Sequence, residues 1–561
     1  MYRSNFKPGS TRWAVRRSQW RSMGISDEDM LKPKIAVINT SNSLSCCYIH
    51  LDEISKKVQE SIRAAGGLPF EIRTVAPSDF VTSAGKKARY LMPTRDLIVN
   101  EIEVMVEGAV LDGMICLSSC DKTTPAHLMA AARLNVPSLL LTCGYQIGGK
   151  CHSEKFVDID DVYESIGAVE TGSMTLEELT DMTESAIQSP GVCAGLGTAN
   201  SMHIVAEALG MSLSGNSPIW ANSRRLREYA QAAGKRIVEL VEQNICPRDI
   251  LTAQAVENAI MTVQAVGGSV NTVRHISAVA TEAELPIDVV GLYESLSDKI
   301  TLLTAVRPNG PYRTEDLDVA GGTPGVLSRL KDSLHLDCLT VNGKTVGENI
   351  ATVVVKNSEV IRPLDNPIST RPGVAIFRGN MAPEGSIVKL SAVPAELHEF
   401  KGPANIFDGE DEAITALGNG KIQRGDVVIL RNMGVMGGPG TVFAASFVAA
   451  LNGAGIAQYV AVVTDGELSG LNRGIVVGQL MPEAAAGGPL AVVRQGETVI
   501  IDVDKRRIDV DISALELKQR LSDWQPLQRE PDGSWLSQYG QLVQPIAQGA
   551  VLGKRKIHNN N

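Results

Sequence analysis

Between Lys34 and Thr142 the chain alternates short apolar runs with amphipathic segments, and this rhythm constrains the fold more than any other feature. Lys34–Asn39 (KIAVIN) reads as a strand. Ile54–Ala65 has helical periodicity and stops at Gly66-Gly67, a pair suited to a helix end. Glu71–Val75 is a second strand, Leu97–Val106 a helix and Gly113–Leu117 a third strand. Thr124–Leu134 is helical, and Ser138–Thr142 follows Pro137 as a fourth strand. Strands that alternate with helices in this way form a largely parallel sheet covered by those helices. From about Glu170 to Glu282 the pattern is mainly helical.

The pattern changes near Asp365-Asn366-Pro367. Beyond it come short strand candidates, Val374–Arg378, Ser386–Leu390, Asp426–Arg431, Val460–Val463 and Thr498–Val503, separated by turns rich in Gly and Pro. A chain of 561 residues is too long for one ordinary core. The expectation is an α/β protein with an N-terminal parallel α/β domain over residues 1–365 and a C-terminal β-barrel-like domain over residues 366–561. A net charge of −10 argues against nucleic acid as a partner, because phosphate binding wants a basic face. No apolar stretch is long enough for a bilayer, and Arg12, Arg16, Arg17 and Arg21 are not followed by the apolar run of a targeting peptide. The expected setting is cytoplasmic, away from membranes.

Nine cysteines, an odd number at irregular spacing, do not read as a disulfide framework. Cys116 and Cys143 lie in apolar runs and read as buried strand cysteines. Others sit where chemistry is expected, because ligand-binding groups in a parallel α/β sheet occupy loops at the carboxyl ends of strands. Gly113–Leu117 runs out into Cys120-Asp121-Lys122 just before a helix. Cys120 could be a soft metal ligand, Asp121 a hard one and Lys122 a charged or modified group; alternatively Asp121 simply caps the helix. Cys47 follows the KIAVIN strand on a polar loop, and Cys193 lies in the Gly-rich turn Pro190–Gly195. Three cysteines on three loops could converge on one Fe–S cluster, with Cys46 as a rival ligand or a buried small residue. His50 could touch such a cluster or start a helix, and His127 reads as a packing residue. Gly267-Gly268-Ser269 could offer backbone amides to a carboxylate or allow two helices to approach closely.

The string Cys120-Asp121-Lys122-Thr123-Thr124-Pro125-Ala126 resembles the first signature of the dihydroxy-acid and sugar-acid dehydratase family. The resemblance extends through Pro93-Thr94-Arg95-Asp96, residues 191–202 (GVCAGLGTANSM), Gly268–Asn271, residues 378–389 (RGNMAPEGSIVK), Gly437–Gly440, residues 464–470 (TDGELSG) and Pro482-Glu483-Ala484. It implies an N-terminal α/β domain, a C-terminal barrel-like domain and an active site between them. It also implies that Cys47, Cys120 and Cys193 hold an Fe–S cluster, 2Fe–2S rather than 4Fe–4S, with one iron position open. Asp79 and Asp121 match Mg²⁺ ligands, Lys122 matches a lysine that is carbamylated in the family, and Ser469 matches the proton-abstracting serine. In this reading Mg²⁺ steadies the enediolate formed when the C2 proton leaves, and the cluster takes the C3 hydroxyl. Ser469 must then act as an alkoxide supported by nearby positive charge.

Two positions depart from the family pattern. Phe443 stands where the family has a glutamate that completes the Mg²⁺ site, and Glu467 stands where it usually has arginine. Glu467 either replaces the lost ligand or faces the distal part of the substrate. The resemblance implies a hydro-lyase that converts a 2,3-dihydroxy acid into a 2-keto-3-deoxy acid. A polyhydroxy sugar acid (aldonate) is the expected substrate, because Lys122-Thr123-Thr124-Pro125 is closer to that branch. The alternatives are a dihydroxy-acid dehydratase of branched-chain amino-acid synthesis, or a re-purposed non-catalytic relative that binds a metabolite or a partner. A homodimer or homotetramer is the implied assembly.

Overall fold

The computed structural model describes residues 2–170, 172–441, 444–468, 474–526 and 532–553. The first sheet has four strands, β1 (Lys34–Asn39), β2 (Leu68–Arg73), β3 (Gly113–Ser118) and β4 (Ser138–Thr142), in the order β2-β1-β3-β4. All neighbours run parallel, with Lys34 opposite Leu68 and Met114 opposite Ser138. The crossovers are helices α1 (Leu51–Ala64), α2 (Leu91–Gly108) and α3 (Thr123–Leu134). Every residue of β1, β3 and β4 is buried, which is why these strands read as continuous apolar runs rather than alternating ones. Behind them stand α4 (Thr198–Ala208), α5 (Arg224–Gln243), α6 (Ala253–Val266) and α7 (Asn271–Glu282).

The element types agree with the sequence pattern, while several limits move. Helix α2 begins at Leu91 rather than Leu97, because Pro93 is tolerated in a first turn where its missing N–H has no helical acceptor. Strand β2 begins at Leu68, three residues earlier than expected, since Leu68-Pro69-Phe70 pairs along β1. The arginine-rich segment forms a surface helix, Thr11–Ser22, with Arg16 stacked over Phe6 and Trp20. No helix among the described residues is long and apolar enough to cross a membrane.

The second sheet has eight strands: β5 (Ala375–Phe377), β6 (Gly385–Val388), β7 (Glu399–Phe407), β8 (Val427–Leu430), β9 (Ala461–Thr464), β10 (Val476–Met481), β11 (Thr498–Asp502) and β12 (Arg507–Val510). Their order is β12-β11-β7-β8-β9-β10-β6-β5. The free edges then meet, because Arg378 bridges to Arg507 and the Ile508 N–H donates to the Arg378 carbonyl. The result is a nearly closed barrel. Val427, Ile429, Ala461, Val463, Val499, Ile501, Ile508 and Val510 fill its interior at every second position. The alternate residues Val428, Leu430 and Val462 face outward into the core shared with the helices of the first unit. Strands β7, β10 and β12 were not expected. Gly402-Pro403 interrupts β7 with turn residues, yet Gly402 is needed there, since a Cβ would lie 1.8 Å from the Gly425 carbonyl oxygen.

A buried staple ties the end of the described chain to α2. Arg95 donates to the Gly549 and Ala550 carbonyls at 2.9 and 2.8 Å, to His275 Nδ1 at 3.4 Å and to the Asp96 carboxylate. Arg95 is fully buried and Asp96 nearly so. Replacing Arg95 with Met should therefore leave Asp96 as an uncompensated buried charge, at a cost of about 3–5 kcal/mol. A large drop in melting temperature, with early proteolytic loss of residues 544–553, is the expected result.

Candidate active site

The carboxyl end of β3 feeds a tight loop. Ser119 N donates to Thr123 Oγ1 at 3.3 Å, Thr123 Oγ1 to the Cys120 carbonyl at 3.1 Å, and Thr124 Oγ1 to the Ser119 carbonyl at 2.9 Å. These bonds close the loop from within, so the side chains of Cys120, Asp121 and Lys122 are left for other work. Asp121 does not cap the helix. The cap position is Lys122, with no side-chain cap bond, and the Asp121 carboxylate turns to the Lys122 ammonium instead.

Three further loops close on this one. Cys47 is buried on the loop after β1, and Ser119 Oγ donates to its carbonyl at 2.6 Å. His50 starts α1 and donates through Nε2 to the Cys143 carbonyl at 2.8 Å. The Cys193 loop is held by Gly191 N to the Cys46 carbonyl at 3.1 Å and by Asn200 Nδ2 to the Cys193 carbonyl at 2.7 Å. Gly191 has φ +123°, and a Cβ there would lie 2.5 Å from the Tyr145 carbonyl carbon, so only glycine fits. Cys47 and Cys120 share a thiol hydrogen bond that pushes Cys47 well above the ordinary thiol range and draws Cys120 below it. Cys193, raised by burial first, senses Cys120 and Cys46 and opens on the same cavity as Cys120. Cys46 points its thiol to Gln146 Oε1 at 3.4 Å.

The carboxylates gather round one cation. Lys122 Nζ is fully buried, bonded to Asp121, 2.9 Å from Glu467 Oε1 and 3.8 Å from Asp79 Oδ2. Burial alone would lower the lysine, but the charges of Asp121, Asp79 and Glu467 overcome it and raise its pKa. Burial and then the Asp121 charge push Asp79 well above the usual carboxylate range. Burial also works to raise Asp121, but the Lys122 charge and hydrogen bonds from Asp79, Lys122 and Thr198 hold it below. Asp79 Oδ1, Asp121 Oδ1 and Glu467 Oε2 are buried with no hydrogen-bond partner. Anionic oxygens left without donors suit a hard cation. Among the described residues no three His, Cys, Asp or Glu side chains close on a single ion position. Lys122 stands between the carboxylates, and a cluster with several irons does not ask its thiolates to meet at one point.

Glu467 reaches this place on a well-fixed loop after β9. Asp465 accepts from Met433 N and Ala484 N, both at 2.9 Å, and Gly466 N donates to Thr464 Oγ1 at 2.9 Å. Asn271, at the start of α7, donates to the Leu468 carbonyl at 2.8 Å and accepts from Gln479 Nε2 at 3.0 Å. Ser469 and Phe443 lie outside the described residues. Sequence reasoning missed Arg274, which is fully buried with Nη2 2.6 Å from Glu467 Oε1. The available signal was an arginine within Thr272–Ile276, a stretch otherwise suited to burial, where a charge needs a partner. The amides of Gly267, Gly268 and Ser269 are taken by Gln264, Val263 and Ser201, which leaves the close-approach reading of that turn and not the carboxylate one. His127 is a packing residue bonded to Ser118 Oγ at 2.9 Å.

A cavity of about 750 Å³ opens above the site. Asp79, Cys120, Asp121, Cys193 and Thr198 line its chemical end, while Phe80, Tyr163, Glu410, Asp411 and Ser446 line the outer part. Helix Ile159–Glu170 of the first unit packs on helix Ala445–Gly453 of the second at this rim.

Residues 32–349 match the family model described as the dihydroxy-acid/6-phosphogluconate dehydratase N-terminal domain, and residues 359–550 match its C-terminal counterpart. The chain belongs to the dihydroxy-acid/6-phosphogluconate dehydratase family. Similar curated proteins named dihydroxy-acid dehydratase come from Acetivibrio thermocellus (41% identical, covering 96% of this chain and 97% of that one) and Ignicoccus hospitalis (41%, 96% and 98%). Another is from Methanothermobacter thermautotrophicus (40%, 97% and 100%). Membership makes the protein a hydro-lyase.

The clamp from α7 onto the 465–468 loop can be tested directly. Asn271→Leu removes its bonds to Leu468, Thr198 and Gln479, each worth roughly 1 kcal/mol. Amide hydrogen exchange in residues 461–468 should quicken by about tenfold or more, with β1–β4 unchanged.

Proposed function

We propose that this dehydratase removes water from a branched 2,3-dihydroxy carboxylic acid to give a 2-keto acid. The observation that carries the reading is near full-length similarity, at about 40% identity, to relatives named dihydroxy-acid dehydratase. The sugar-acid reading stands second. It is favoured by the outer cavity wall, where Tyr163, Ser446, Glu410 and Asp411 offer hydroxyl and carboxylate groups to a polyhydroxy tail. Among the described lining residues only Lys86 is cationic there, against Asp160, Glu410 and Asp411, which speaks against a substrate with a terminal phosphate.

Cys47, Cys120 and Cys193 would hold an Fe–S cluster, and Asp79, Asp121, Glu467 and Lys122 a hard divalent cation such as Mg²⁺, with Lys122 able to join as an oxygen ligand once carbamylated. When bound, these groups would supply Lewis acidity toward the substrate carboxylate, its C2 hydroxyl and the departing C3 hydroxyl. Ser469, as an alkoxide, takes the C2 proton, and the buried guanidinium of Arg274 stabilises negative charge nearby. Loss of the C3 hydroxide, which leaves as water with the abstracted proton, gives an enol that gains a proton at C3 and loses the one on its C2 oxygen to become the 2-keto acid.

Anaerobically purified enzyme should form 2-keto acid from 2,3-dihydroxy-3-methylbutanoate at least tenfold more efficiently than from any aldonate or 6-phosphogluconate. A better aldonate would replace the first reading with the second, and no keto acid from any of them would defeat the reaction. Ser variants of Cys47, Cys120 and Cys193, made singly, should each lose visible absorbance and iron, while Cys46→Ser keeps both. Ser469→Ala should keep the absorbance and lose exchange of the C2 hydrogen; near-normal turnover would put the base elsewhere.

A further inference from the structure

Asn271 and Arg274 lie three residues apart on α7 and so face the same way. Asn271 holds the backbone of the 465–468 loop at Leu468, and Arg274 meets the buried Glu467 carboxylate of the same loop. Arg274 and Glu467 are both fully buried, their contact is an ion pair, and Arg274 Nε, Nη1 and Nη2 all lack a hydrogen-bond partner. Such a guanidinium is a poor stabiliser. Removing a charge from water costs several kcal/mol, and well-packed apolar side chains of similar size often serve stability as well or better. Its placement makes sense through Glu467. Lys122 Nζ and Arg274 Nη2 both approach Oε1, at 2.9 and 2.6 Å, and Oε2 is left as the carboxylate oxygen without a partner.

We propose that Arg274 is a positioning residue for the cation site, holding Glu467 so that the second unit contributes a carboxylate to a site otherwise built from the first. The inference rests on the reading of Asp79, Asp121 and Glu467 as a hard-cation site. Partners that orient a metal's ligands typically change affinity by about 10–100-fold when removed. Arg274 therefore acts on how tightly the cation is held, without touching cation or substrate.

The test is a titration of Mn²⁺ alone into enzyme that retains its visible absorbance and has been dialysed free of divalent metal, with free Mn²⁺ read by electron paramagnetic resonance. Wild type should bind one Mn²⁺, and Glu467→Gln and Arg274→Met should each bind it at least tenfold more weakly with their visible absorbance intact. In a Glu467→Gln background, Arg274→Met should add less than twofold, because the side chain it positions is already altered. Should Arg274→Met fail to fold, Arg274→Gln takes its place with the same expected loss. Affinity within twofold of wild type in the Arg274 variant, while Glu467→Gln is weakened, overturns the role of Arg274 and leaves the cation site standing. A wild-type protein that binds no Mn²⁺ overturns both.

Discussion

The structure turns on a buried ammonium. Lys122 sits at the exit of β3 with no solvent exposure, and a lone charge there would cost several kcal/mol. Its compensation comes from three directions: Asp121 beside it, Asp79 from the loop after β2, and Glu467 from the barrel unit. The last of these makes the charge balance an inter-unit matter. If the barrel moved away, Lys122 and Arg274 would lose a shared carboxylate, so the electrostatics that serve the site also hold the two units in register.

Packing supports the same geometry. The outward residues of β8 and β9 belong to the core that contains β1, β3 and β4, so the barrel is not a separately packed body. The Arg95 staple and the Asn271 clamp work at the edges of this core, one on residues 549–550 and the other on Leu468. Each satisfies buried carbonyls that an apolar interface would leave without donors. The cavity lies where the two units meet, with its reacting end formed by strand-exit loops and its outer rim by helices from both.

Charge also separates the chemistry of the two ends. Thiols on three loops cluster beside carboxylates on three, so soft and hard ligands stand together at one end of the cavity. The outer wall carries hydroxyls, carboxylates and a few apolar groups. A small branched acid needs little of that outer space and a polyhydroxy acid would use it, so the outer wall and not the reacting end separates the two substrates.

The amino-acid sequence by itself determined the parallel sheet, the helices between its strands and the loops that carry Cys47, Cys120, Asp121 and Lys122. Those features are local. Buried strands announce themselves as apolar runs, and a strand exit places its next few residues at the sheet's edge whatever the rest of the chain does. The sequence also singled out Glu467 as a departure, without deciding what it touches. That needed the tertiary structure, because Glu467 and Lys122 are 345 residues apart and meet only when the barrel docks. The same holds for Arg274, whose charge looks incidental on its own helix. It holds too for β7, β10 and β12, which are strands because a barrel must close around its interior residues, and closure is a property of the whole sheet and not of any one segment.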